Sequence, residues 1–179
     1  MVTIEQMRWL HINTLDISFA AHATFALTSF EREQLAHTCI LRELVVAVLP
    51  TDHRLAGRVP IPLAALASEE WVWFARPFDP TTYDYMMRLF ERAGFRPIVA
   101  QEVNQAQLFI GLVAAVLGVS LLPASATRET GAKVVYVPVA EPTPMVEFDI
   151  AWRRDETSPL VRAFLEVVND IATEQAGHA

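Results

Sequence analysis

The run Leu108–Leu122, "LFIGLVAAVLGVSLL", carries no charge over 15 residues, and a chain holding such a run must either bury it or insert it. A membrane-spanning helix needs about 18–20 apolar residues, so the run is too short to cross and belongs in a folded core. Gly118 divides it. Glycine takes the left-handed conformation that ends helices at little cost, so the residues before it read as a helix over 106–117. Val119-Ser120-Leu121-Leu122 reads as a short buried strand, closed by Pro123, which cannot donate to a ladder.

Helix, stop and strand recur along the chain. Thr3 and Gln6 have capping-box spacing and predict a first helix over about residues 3–12. "LDISFAA" (15–21) reads as a buried strand and "ATFALTSFEREQ" as a connecting stretch. "LAHTCILRE" (35–43) and "LVVAVLP" (44–50) read as two extended runs, with "WVWFA" (71–75) and "RPIVAQEV" (96–103) as further strands. Thr81–Ala93 makes an amphipathic helix with Tyr85, Leu89 and Phe90 on one face and Gly94 as its stop. "VSLLP", "KVVYVPV" and "VEFDIAWR" follow as strands, and Ser158 and Pro159 start a last helix whose Leu160, Phe164, Val167, Val168 and Ile171 form one stripe. Strands alternating with helices predict an α/β architecture with mostly parallel pairing.

Composition narrows the function classes. With 53% apolar and 20% charged residues in 179, the chain can bury a core and is not disordered. A formal charge of −7 with 14 scattered basic residues leaves no electrostatic footprint for nucleic acid or a membrane surface. The single cysteine, Cys39, excludes an internal disulfide and reads as a small core residue. The first residues show no basic region followed by an apolar run, so a cytoplasmic location is expected. His11, His22, His37 and His53 sit in different elements without metal-ligand spacing; His53, in the turn "TDHRLA", reads as structural. No GxSxG, P-loop or GxGxxG is present, so neither an enzyme nor a bound cofactor or metal is expected.

The order of "LVVAVLPTDHRLAGRVPIPLAALASEEWVWF" resembles the effector-binding part of LysR-type transcriptional regulators, which carry a strand, "HPLA", a short helix and a strand. "GLVAAVLGVSLLPAS" is similar to their "lVaaGlGvallP" segment, "DIAWRRDETSPLVRAFLEVV" to their ending, and "INTLDISFAAHA" to their "L..G.lDlaf" element. The resemblance covers about residues 3–172, and "EVNQAQLFIGLVAAVLGVSLLPAS" is nearest the subgroup sensing aromatic compounds and muconate. It implies two Rossmann-like subdomains joined by two crossover strands, similar to type 2 periplasmic binding proteins. The crossovers are expected near Glu43–Leu49 and Val137–Phe148, with residues 1–43 and 143–179 in one subdomain and 44–142 in the other. It also implies a winged helix-turn-helix, and about forty residues of strand and helix, ahead of what matches here; the chain is therefore expected to be truncated, its first subdomain incomplete. Val116 stands where the family has a glycine and reads as extending the helix by one position; Arg54 stands for the proline of "HPLA" and reads as loosening the turn.

The resemblance also points to effector contacts. Pro80, Thr81 and Thr82 open a helix where the subgroup binds a ligand carboxylate, and free N–H groups, hydroxyls and a positive helix end suit an anion. Plain N-capping is the other reading. Arg42 matches an arginine near the effector and has the fork for a carboxylate, or else pairs with Glu43 or Glu33. Arg76 is a weaker candidate of the same kind. Phe19 and Ala20 end the first strand on the wall of the expected cleft, with core packing as the alternative for Phe19. Val103, Gln105 and Gln107 flank the next helix start, and Phe78 offers an aromatic wall or mere loop packing.

The expected function is therefore sensing a small carboxylate, aromatic or dienoic, and regulating transcription in a full-length context, with association through the effector domain left open. The alternatives are a free-standing binding protein or enzyme on the same fold, or a non-functional fragment. With no recognition helix and a charge of −7, the purified chain should show no salt-sensitive DNA binding on its own. A submicromolar, sequence-selective gel shift would contradict this.

Overall fold

The computed structural model describes residues 3–21, 33–128, 133–140 and 144–176. His22, most of the connecting stretch "ATFALTSFEREQ" and the last three residues lie outside that set. The chain divides into a first unit, Met1–Arg42 with Glu147–Ala179, and a second unit, Glu43–Val146. The boundaries fall one residue before and four residues after those expected from sequence.

In the first unit, helix α1 (Thr3–His11) leads through a turn into strand β1 (Ile17–Ala21). Asn13 takes a φ of 58° there, a left-handed conformation that asparagine tolerates. β1 runs antiparallel to β7 (Met145–Arg153), with Ser18 opposite Ala151 and Ala20 opposite Asp149. Met7 and Leu10 of α1 pack with Ala20, Leu35 and Ala151 in one buried cluster. Arg153 fastens the turn, donating to the carbonyls of Leu10 at 3.3 Å and Leu15 at 2.6 Å while pairing with Asp16 and Glu156. The last helix, α4 (Pro159–Ala176), turns Val161, Leu165, Val168 and Ala172 away from solvent. Of the stripe read from sequence only Val168 joins them; Leu160, Phe164, Val167 and Ile171 lie on an adjacent, exposed stripe.

The two extended runs 35–43 and 44–50 are one strand, β2 (Leu35–Pro50), which contains the boundary between units. In the second unit its apolar half pairs antiparallel with β5 (Ser120–Pro123) and β6 (Val134–Pro138). Strand β3 (Glu70–Trp73) instead runs parallel to β4 (Ile98–Glu102). The expectation of mostly parallel pairing is thus corrected. Parallel pairing follows where a helix returns the chain between β3 and β4, whereas the long strands β2 and β7 run against their described neighbours.

β3 is covered on both faces. Trp71 and Trp73 project toward Phe90 of helix α2 (Pro80–Arg92), with ring centroids at 4.8 and 5.5 Å; such edge contacts add about 0.5–1.5 kcal/mol beyond burial. Val72 faces the other way, against Phe109, Ile110 and Val113 of helix α3 (Ala106–Ala114). Among the described residues no helix is long and apolar enough to cross a membrane.

The greasy run departs from its expected form. α3 stops at Ala114, and Val116 does not extend it: Val116 has a φ of 61°. A β-branched side chain is strained in that region, and Val116 is 67% exposed, so packing returns little. Gly118 has a φ of 143°, and a Cβ there would stand 2.7 Å from the Glu70 carbonyl oxygen. That close approach lets Val119 N–H donate to Glu70 at 2.8 Å and Val72 N–H to Val119 at 2.9 Å. Buried Ser120 adds a bond from its hydroxyl to the Val72 carbonyl at 3.0 Å.

Arg54 is also corrected. It donates to Glu69 and to the Ala65 carbonyl at 2.8 Å, so it ties the turn down. Denaturant unfolding should show Gly118→Ala losing about 2–4 kcal/mol, from strain and overlap. Val116→Gly should gain about 0.5–1 kcal/mol, the relieved strain less the added chain entropy. Equal effects of the two changes would contradict the assigned geometry.

Candidate functional site

Helix α2 begins differently from the sequence reading. Asp79 is its N-cap and Pro80 its first residue, where a missing N–H costs nothing. The Asp79 carboxylate accepts from Thr82 N–H at 3.1 Å and from the Thr82 hydroxyl at 2.8 Å. Both donors of Thr82 are therefore engaged within the chain. The N–H and hydroxyl of Thr81 have no partner among the described residues and remain open to a ligand. Phe78 is half-buried ahead of the cap, its N–H bonded to Ala75 at 2.9 Å. The Phe74 and Tyr83 rings meet edge to face at 5.9 Å.

The cations near the candidates are committed. Arg76 binds both oxygens of Asp84, at 2.8 and 2.7 Å, and this contact holds the Asp84 carboxyl below its ordinary value. Arg42, in the first unit, pairs with Glu147 at 2.9 Å rather than with Glu43 or Glu33. Its contact is solvent-exposed and of the kind that contributes little.

The other candidates fall in different settings. In the first unit Ala20 is core, while Phe19 is exposed and rests edge-on against Phe164 at 6.3 Å. In the second, Val103 packs against the β3–α3 cluster, and its N–H donates to Trp73 at 2.8 Å. Gln105 occupies the N-cap of α3 in extended conformation, exposed, with its side chain making no capping bond. The side chain of Gln107 lies outside the described residues. The structure thus gathers Phe78, Pro80, Thr81 and Thr82 at one helix start and leaves Gln105 at another. Sequence reading missed Asp79, whose spacing of three residues from Thr82 was the available signal.

Two further features lie apart from these helix starts. A cavity of about 390 Å³ in the first unit is lined by His11, Gln34, Arg153 and Arg154 among others. Arg154 there donates to the Glu33 and Leu35 carbonyls, so its donors serve the fold. Among the described residues no group of three or more His, Cys, Asp and Glu could hold a metal.

Comparison with known proteins gives the class of domain. Residues 1–172 match the family model for the LysR substrate binding domain. The chain belongs to that family. Among its relatives, the uncharacterized HTH-type transcriptional regulator YnfL of Escherichia coli K12 is 36% identical over 92% of this chain and 54% of its own length. The HTH-type transcriptional regulator CatR of Pseudomonas putida is 29% identical over 94% of this chain and 56% of its own. The chain spans about half the length of these relatives. The C-terminal domain of a probable LysR family regulator from Rhodococcus sp. RHA1 superposes with a TM-score of 0.78 at 27% identity, covering 94% of this chain and 81% of that one. The effector binding domain of a BenM variant gives a TM-score of 0.84 at 24% identity, over 98% and 80%, a likeness of fold.

The α2 cap and the Glu69 cluster generate tests of stability. Asp79→Ala should cost about 1 kcal/mol, the usual loss of a helix cap. Burial works against the Glu69 charge, but hydrogen bonds from Arg54 and His53 outweigh it and hold this carboxyl below its ordinary value. Its contribution is therefore complete above the unfolded carboxylate value and is lost as pH falls through the lowered one. Glu69→Gln should remove that segment of the acid-stability profile; an unchanged profile would contradict the cluster's role.

Proposed function

We propose that this chain is the small-molecule-sensing part of a transcriptional regulator, and that it responds to a small aromatic or dienoic carboxylate. The observation carrying the reading is the open donor pair of Thr81 at the start of α2, where a positive helix end favours an anion. A carboxylate seated there would accept from the Thr81 N–H and hydroxyl, with Phe78 as a neighbouring apolar surface. Pro80 fixes the entry of the helix, and Thr82 acts indirectly by holding Asp79 in its cap. Val103 and Gln105 would border the ligand from the start of α3.

Two solved likenesses lend support. One shows the BenM effector binding domain with its effector benzoate, and another the QuiR effector binding domain with shikimate. Both ligands carry a carboxylate. A bound effector would shift the population of domain states, and a DNA-binding part elsewhere in a full-length regulator would read that shift. Relatives named as transcriptional regulators favour this over an enzyme.

Thermal unfolding with benzoate, cis,cis-muconate and their amides tests the reading. At about a hundredfold excess over Kd, an acid should raise the Tm by roughly 5 °C while its amide does much less. Thr81→Ala should weaken the acid roughly tenfold, the loss of one hydrogen bond to a charged group. Asp79→Asn should strengthen it by removing a competing negative charge. Equal shifts for acids and amides would overturn the carboxylate assignment.

A further inference from the structure

The first unit buries polar groups that its fold does not use. Ser18 is 2% exposed and Asp149 1% exposed. Neither the Ser18 hydroxyl nor either Asp149 carboxylate oxygen has a hydrogen-bond partner among the described residues. The ladder sets them side by side. Ser18 lies opposite Ala151 and Ala20 opposite Asp149, so all four project to one face of the β1–β7 pair. Ser18 and Asp149 are diagonal neighbours on it, within about 8 Å. This is the face where Met7 and Leu10 pack on Ala20 and Ala151.

Nearby groups sharpen the anomaly. Glu147, two residues before Asp149 on the same face, is answered by Arg42 at 2.9 Å. Among the described residues no cation pairs with Asp149. Cys39 of β2 registers the difference: burial first, and the Asp149 charge second, raise its thiol above the ordinary value. A buried carboxylate with both oxygens unanswered is costly, and native structures rarely keep one without an ion, water or ligand to meet it.

We propose that Ser18 and Asp149 form a subsite for the ammonium group of a small amine. Two carboxylate oxygens and a hydroxyl oxygen supply three acceptors on one face, and a protonated primary amine supplies three donors and the missing positive charge. A water molecule offers two donors and leaves the charge unmet. The site is closed at rest, so entry requires local opening of the α1 side of the unit. The proposal is independent of the carboxylate reading: it concerns the other unit and needs no contact at α2.

Propylammonium chloride, compared with sodium chloride at equal ionic strength, tests it. In the wild-type chain propylammonium should raise the Tm by about 3 °C. It should also speed the reaction of Cys39 with a neutral dipyridyl disulfide, because a cation on Asp149 relieves the charge that raises the thiol. Asp149→Asn should abolish both responses and react faster at Cys39 without amine. Ser18→Ala, a milder change, should retain a reduced response if the asparagine variant fails to fold. A wild-type chain indifferent to propylammonium, or an Asp149→Asn chain that responds like it, would overturn the proposal.

Discussion

The second unit depends on one close backbone contact. At Gly118 the chain passes so near Glu70 that only a residue without a side chain fits. From that contact Val119 exchanges hydrogen bonds with β3, and Ser120 adds a buried third. β3 thereby becomes an interior strand with an aromatic layer under α2 and an aliphatic layer under α3. The starts of both helices are then fixed relative to one strand. A ligand group at Thr81 would meet a donor held by a packed scaffold, which lowers the cost of ordering it.

Charge is used mainly to hold the fold. Arg153 closes the turn between α1 and β1, Arg54 fastens the turn before β3, and Arg76 braces α2 through Asp84. With Arg76 taken up by Asp84, the Thr81 N–H and hydroxyl are the open donors at the start of α2. The exception is Asp149, buried with neither carboxylate oxygen hydrogen-bonded among the described residues.

Much of this was legible from periodicity and punctuation. Gly94 and Gly118 marked real changes of direction, both with positive φ, and the uncharged run between Leu108 and Leu122 split into helix and strand as its length required. What sequence could not show was tertiary. Whether two apolar runs make one strand or two depends on what flanks them, and β2 stays continuous because β5 and β6 pair along its second half. Which stripe of α4 faces inward depends on the surface beneath it; two adjacent apolar stripes leave that undecided. The candidate site was legible as a helix start with threonines; the three-residue spacing of Asp79 and Thr82 hinted at a cap, and the hydrogen bonds show that this aspartate takes up both donors of Thr82.

Residue-resolved amide exchange, with and without benzoate, tests the central claim that a rigid strand junction presents an open donor. The N–H groups of Val72 and Val119 should be among the slowest in the second unit, while Thr81 N–H exchanges freely and slows on adding the acid. Fast exchange at Val119, or a Thr81 amide already protected without ligand and unmoved by it, would contradict the account.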